Sequence, residues 1–77
     1  MLKSPRDSAE EARQAVFWLF ERQKRILVGE ICLIMGPYWR LKDAEAILEG
    51  LVAEGRVRHA TAEENASFGV SWAYVMV

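Results

Sequence analysis

Apolar positions follow the helical period in the first part of the chain. They recur at i, i+3, i+4, i+7 and i+8, which is typical of a helix with one buried stripe. The polar run ERQKR at residues 21–25 ends this pattern. Two starts fit the sequence: Ser4 before Pro5, or Ser8 with Glu11 as a capping box. The stripe consists of Ala12, Ala15, Val16, Leu19 and Phe20.

Two further helices are predicted on either side of a break at Gly36 and Pro37. The segment GEICLIMG, residues 29–36, is about two helical turns long and ends at a glycine that suits a helix C-terminus. Proline prevents the helix from continuing. A third helix is expected over residues 40–54, closed by Gly55. Its predicted buried side consists of Leu41, Ala44, Ile47, Leu48, Leu51 and Val52.

After Gly55 the apolar pattern changes to alternation, which is typical of strands. RVRHA, residues 56–60, predicts a strand with Val57 inward and both Arg56 and Arg58 outward. Residues 61–69, TAEENASFG, predict a polar loop, and residues 70–77, VSWAYVMV, a final strand. Residues 26–28 could add a short third strand. The expected fold is α+β in the order α-β-α-α-β-β, as one domain over residues 1–77.

Composition and charge limit the function. The chain has 77 residues, of which 52% are hydrophobic, so a small folded domain is expected rather than a disordered one. Its net charge is −1, with ten basic and eleven acidic residues, so any DNA contact must depend on local charge. Phe17 and Trp18 widen the apolar face of the first helix. Either a strand or the C-terminal tail packs over them, or they form a partner-binding face.

Catalytic and metal-binding patterns are missing from the sequence. Cys32 is the single cysteine and lies in an apolar run, so a buried thiol is expected there and no intramolecular disulfide. His59 is the single histidine, and a structural role is expected. No nucleophile is paired with a base, so we expect no enzyme, no cofactor and no metal. The longest apolar run is too short for a membrane span, and a cytoplasmic setting is expected by default.

The pattern of helices and turns resembles the winged helix-turn-helix superfamily over essentially the whole chain. GEICLIMG resembles the first helix of the motif, AEAILEGLVAEGRV at residues 44–57 the second, and SWAYVMV at residues 71–77 the closing wing strand. The resemblance implies three helices, a C-terminal β-hairpin wing and a helix at residues 40–54 that enters the DNA major groove. Most members bind DNA, and small regulators of bacteria, phages and plasmids are common at this length. A minority are protein-interaction modules.

The chain departs from the superfamily pattern in three places. The turn GPYWR, residues 36–40, is about two residues longer than usual for such motifs and puts Trp39 where a small residue normally fills the core. The wing loop holds Glu63 and Glu64, where basic residues would clamp phosphate. The groove-facing positions carry three acids and one lysine, an unfavourable set near phosphates. They are Lys42, Asp43, Glu45, Ala46 and Glu49.

Candidate DNA contacts cluster around the predicted third helix. Arg40 and Lys42 lie in its first turn, where side chains reach bases and the helix N-terminus favours phosphate. Tyr38 and Trp39 could stack on sugar–phosphate, although Trp39 fits equally well as a plug between two helices. The predicted DNA-binding set is Tyr38, Trp39, Arg40, Lys42, Ala46, Arg56 and Arg58.

Small residues on the outer side of the same helix form a second candidate surface. Ala46, Gly50 and Ala53 lie at i, i+4 and i+7, and such a strip lets a DNA backbone or a protein helix come close. The predicted partner-binding set is Phe17, Trp18, Gly50 and Ala53. The leading hypothesis is a sequence-specific transcriptional regulator that binds double-stranded DNA, with a homodimer or a partner subunit supplying further affinity. The alternative is a winged-helix protein-interaction module.

Overall fold

The structure, a computed structural model, describes residues 7–77 and shows an α+β fold, as predicted. Its two strands form one antiparallel sheet, and four helices lie within this range. The start predicted at Ser4 and Pro5 lies outside the described residues. The elements in chain order are α1 (Ala9–Phe20), α2 (Val28–Met35), α3 (Leu41–Ala53), β1 (Val57–His59), α4 (Ala62–Phe68) and β2 (Tyr74–Met76).

Helix α1 begins directly after Ser8, which is the second of the two predicted starts. The Ser8 side chain makes no capping hydrogen bond to the helix. Its hydroxyl oxygen accepts a hydrogen bond from the Trp39 indole nitrogen at 3.0 Å. The predicted apolar stripe is confirmed at Ala12, Val16 and Leu19, which are buried.

Helices α2 and α3 meet across the sharp break that the sequence predicts. The Leu27 amide donates to a Glu30 carboxylate oxygen at 2.7 Å and so satisfies a backbone donor at the start of α2. Helix α2 ends at Gly36, whose φ of +100° is strained for any other residue. The Arg40 amide donates to Asp43 Oδ2 at 2.9 Å, which fixes the start of α3 in the same way.

The two strands pair antiparallel with Val57 opposite Met76, Arg58 opposite Val75 and His59 opposite Tyr74. On the other side of β2, Ile26 exchanges two backbone hydrogen bonds with Tyr74, each at 2.9 Å. The short third strand predicted at residues 26–28 is therefore a single bridge at Ile26.

The predicted polar loop at residues 61–69 is wrong, because this segment forms helix α4. Thr61 Oγ1 accepts from the Glu64 amide at 3.1 Å, and Glu64 Oε1 accepts from the Thr61 amide at 2.9 Å. This capping box provides hydrogen-bond acceptors for backbone amides at the helix start, which have no acceptor within the helix. Gly69, at φ +73°, ends the helix. The expectation of three helices and a simple hairpin wing is therefore wrong, because a fourth helix connects β1 to β2.

The core lies where α1, α2 and α3 meet the sheet. Tyr74 and Ile26 are its largest fully buried side chains, and Trp39 is 4% exposed within it. Leu41, predicted to be buried, is 63% exposed, because it sits at the first position of α3 beyond the edge of the core. Each helix within residues 7–77 falls short of the length and apolarity that a membrane span needs.

Candidate functional site

Two exposed cations lie at the start of α3. Arg40 and Lys42 are exposed, and neither side chain forms an ion pair with an acid among residues 7–77. Tyr38 lies beside them in the turn and is 58% exposed. The N-terminus of a helix favours anions because its free amide groups and its dipole both present positive charge. This end of α3 therefore suits a phosphate group.

Trp39 occupies a different environment from Tyr38. Its ring lies in the core cluster, and its indole nitrogen donates a hydrogen bond to Ser8, the residue before α1. A ring that is 4% exposed cannot stack on a ligand, so Trp39 acts on the site by holding the turn in place.

The three acids at the predicted groove-facing positions differ in their contacts. Asp43 accepts the Arg40 amide. Glu49 Oε2 accepts the Tyr74 hydroxyl at 2.5 Å and is 2.6 Å from His59 Nε2. The Tyr74 bond, followed by the His59 bond, lowers the pKa of Glu49, so its carboxylate is ionised at neutral pH and His59 Nε2 donates. Glu45 is exposed. Two of the acids thus take part in hydrogen bonds within the fold.

The arginines around β1 contribute less positive charge than the sequence indicates. The two terminal guanidinium nitrogens of Arg58 donate hydrogen bonds to the Glu64 carboxylate, at 2.7 and 2.9 Å. The same contact is the main cause that lowers the pKa of Glu64 to about 2. Arg56 lies with its guanidinium carbon 5.2 Å from the centre of the Phe17 ring. Of these two arginines, Arg58 forms an ion pair with Glu64, and Arg56 lies against α1.

The strip of small residues on α3 is open. Ala46, Gly50 and Ala53 are exposed, and a methyl group built at Gly50 meets no atom within 4 Å. The strip follows the first turn along the same helix, so a molecule that contacts Arg40 and Lys42 can also come close to the backbone near Gly50.

Phe17 and Trp18 separate into two roles. Phe17 is half-buried and packs against the core. Trp18 is 48% exposed, and the Arg22 guanidinium lies 3.9 Å from its ring centre. This distance is typical of a cation–π contact. One face of Trp18 is thus covered by the chain itself.

Several exposed apolar residues near the α2–α3 turn were not predicted. Leu33 is 85% exposed and Ile34 is 45% exposed, and Leu41 joins them on the far side of the turn. The signal was available in the sequence, because the helix VGEICLIM is apolar on most sides and an eight-residue helix can bury only one of them.

A second unpredicted feature is an aromatic cluster where the C-terminal half of α3 meets the sheet. His59 packs against Trp72 and Tyr74, with ring centres 5.1 and 5.0 Å away. Burial, followed by the hydrogen bond to Glu49, raises the pKa of Tyr74 to about 12. The register explains the cluster, because His59 lies opposite Tyr74 in the sheet. Sequence alternation alone puts Trp72 and Tyr74 on one face but cannot show that His59 joins them.

Comparisons of this chain with family models, with curated proteins and with solved structures each return no match.

Proposed function

We propose that this chain is a small DNA-binding protein of the winged helix-turn-helix type that acts as a sequence-specific transcriptional regulator. The start of α3 enters the major groove of double-stranded DNA. The observation that supports this most strongly is the pair of exposed cations, Arg40 and Lys42, at the N-terminal turn of a helix that follows a sharp bend. Neither has an acidic partner within residues 7–77.

The contacts divide into positioning and readout. Arg40, at the helix N-cap, is suited to phosphate, and Lys42, two residues further along the chain, to phosphate or to a guanine edge. Tyr38 packs beside the sugar–phosphate backbone. The outer side of α3 has little side-chain volume at Ala46 and Gly50, so the helix can lie deep in the groove.

The connection between the strands is not part of the proposed DNA contact. Helix α4 stands where a basic wing loop would reach DNA, and its first turn carries Glu63 and Glu64. Arg58 is already bonded to Glu64. Two cations at α3 supply little affinity alone, since binding strength rises with the number of phosphates neutralised. A homodimer on two half-sites is therefore part of the proposal.

Fluorescence anisotropy with a labelled random-sequence duplex tests the DNA contact of α3. The double variant Arg40→Glu/Lys42→Glu is compared with Arg22→Glu/Lys24→Glu, which changes the net charge equally but lies just after the end of α1. We expect the α3 variant to lose at least about tenfold in affinity, and the control variant to lose little. Wild-type binding should weaken as salt rises, with a logarithmic slope of about −0.9 per phosphate contacted. Equal losses in both variants would mean that binding follows net charge alone and that α3 is not the contact.

A protein-interaction module is the second candidate, and the apolar surface around the α2–α3 turn favours it. Leu33, Ile34, Tyr38 and Leu41 are all exposed within a short stretch of chain, and exposed apolar patches often mark protein interfaces. Sedimentation analysis of Leu33→Ser/Leu41→Ser, beside Trp18→Ala, tests it. The interaction module is supported over DNA binding by two results together. The wild type does not bind duplex at low salt, and the wild type forms an assembly that the double variant does not form.

A further inference from the structure

An ionised carboxylate is fixed beside exposed aromatic rings at the junction of α3 and the sheet. Glu49 comes from α3, His59 from the end of β1, Tyr74 from the start of β2, and Trp72 from the turn before β2. This group lies toward the C-terminal end of α3, beyond the cations at its first turn.

Glu49 presents one free oxygen in a fixed position. Both of its hydrogen bonds, from Tyr74 and from His59, go to Oε2. Oε1 accepts no hydrogen bond from any side chain or amide in residues 7–77, and the Glu49 side chain is 43% exposed. Because two bonds already hold the rotamer, a cation that binds Oε1 does not have to order this side chain first.

Trp72 supplies an open aromatic surface beside His59, the residue whose ring contacts this carboxylate. It is 54% exposed, and it contacts its neighbours at an angle: its ring is tilted by 44° to His59 and lies edge-on to Tyr74 at 6.4 Å. Glu45 adds negative potential, since its charge contributes to the raised pKa of Tyr74, although less than burial and the Glu49 hydrogen bond. A negative potential beside an indole face attracts organic cations and repels phosphate.

We propose that Glu49 and Trp72 form a binding site for an arginine side chain of a partner protein. The guanidinium donates one N–H to Glu49 Oε1 and lays its plane over the Trp72 indole. Arginine fits better than lysine because its charge is spread over a flat group that both stacks and donates. Filling this site neutralises an acid on the outer side of α3, and the site exists whether or not the first turn of α3 binds DNA.

Titration with Nα-acetyl-arginine N-methylamide, followed by the indole N–H resonance of Trp72 and the ring resonances of His59, tests the site. The citrulline analogue has nearly the same shape without the charge and serves as the matched probe. We expect saturable shifts with the arginine probe, none with the citrulline probe, and weaker binding of the lysine probe. Glu49→Gln should reduce the affinity about tenfold, because it removes the charge and keeps the side-chain volume. Glu63→Gln, an exposed acid on α4, should leave it unchanged.

Other outcomes overturn the proposal. Equal shifts with the arginine and citrulline probes would show that charge is not recognised, and unchanged affinity in Glu49→Gln would exclude the carboxylate. Should Glu49→Gln fail to fold, Trp72→Leu, which removes the stacking surface and keeps an apolar side chain at this position, must lower the affinity for the arginine probe as read by the ring resonances of His59. The Arg40→Glu/Lys42→Glu variant must bind this probe like the wild type. Loss of DNA binding and loss of the arginine site are therefore separate results.

Discussion

The indole nitrogen of Trp39 donates a hydrogen bond to the hydroxyl oxygen of Ser8 at 3.0 Å. This bond joins the turn between α2 and α3 to the residue before α1, and both residues are buried, at 4% and 1% exposure. Arg40 follows Trp39 directly in the chain. The direction in which α3 presents its first turn is therefore tied to the start of α1.

Removing the acceptor tests the strength of this link. Ser8→Ala leaves the Trp39 N–H buried without that acceptor, and we expect the free energy of unfolding to fall by about 1–3 kcal/mol. Urea denaturation at neutral pH measures the change. Tyr38→Phe, at the exposed neighbouring position, should change it by less than about 0.5 kcal/mol. Equal midpoints for Ser8→Ala and the wild type would show that water replaces the hydroxyl at no cost.

The contact between Arg58 and Glu64 predicts an acid dependence of stability. The pKa of Glu64 is lowered to about 2 from 4.5, so its contribution is fully present above pH 4.5 and is lost as the pH falls toward 2. Thermal unfolding should show Glu64→Gln less stable than the wild type at neutral pH, with the gap closing as the pH falls through this window. A gap that stays constant down to pH 2 would contradict the assignment.

The same contact predicts that Arg40 contributes more to duplex affinity than Arg58 does. Arg58 is neutralised by Glu64, whereas Arg40 has no acidic partner within residues 7–77. We therefore expect Arg40→Ala to weaken duplex binding by several-fold more than Arg58→Ala, measured by anisotropy at one salt concentration. Glu64→Gln should then raise affinity, because it releases the Arg58 charge. A larger loss in Arg58→Ala would move the contact from α3 to the sheet.

The raised pKa of Tyr74 predicts that the protein loses stability at alkaline pH. Its pKa is raised to about 12, chiefly by burial, so the folded state favours the neutral phenol. The stability that this provides is complete below the ordinary value of 10 and is lost as the pH rises from 10 to about 12. Difference absorbance between the wild type and Tyr74→Phe should show phenol ionisation near 12. A step in the difference spectrum at 10 would mean that Tyr74 is open to water.

Much of the helical part of the fold could be predicted, because burial imposes a period on the sequence. Ala44, Leu48 and Leu51 have helical spacing and are buried in α3. The predicted helix over residues 40–54 differs from α3 by one residue at each end, since Arg40 and Glu54 are its caps. Glycine and proline at residues 36–37 fix the break because of backbone geometry alone.

Helix α4 was missed because it buries none of its residues, so no apolar stripe marks it. The sequence did contain a signal in Thr61 and Glu64, which have capping-box spacing, and in Gly69 after them. The arrangement around Glu49 could not be predicted in the same way. It depends on strand register, which brings His59 and Tyr74 together over a helix from an earlier part of the chain.

Gly50 gives a prediction that separates stability from contact. It lies inside α3 with open space where a methyl group would stand, so Gly50→Ala should raise the free energy of unfolding by about 1 kcal/mol. Gly55 is the matched control. Its φ is +77°, so Gly55→Ala should lower the free energy of unfolding by about 1–2 kcal/mol, although its surroundings are equally open.

Denaturation measures both glycine variants, and anisotropy with the labelled duplex adds the functional readout. If α3 lies deep in the groove, Gly50→Ala should weaken duplex binding even though it stabilises the fold, because the added methyl stands between the helix and the DNA backbone. If the Gly50→Ala variant is more stable than the wild type and binds the duplex with equal affinity, this part of α3 does not contact DNA. The proposed contact would then be confined to the first turn, at Arg40 and Lys42.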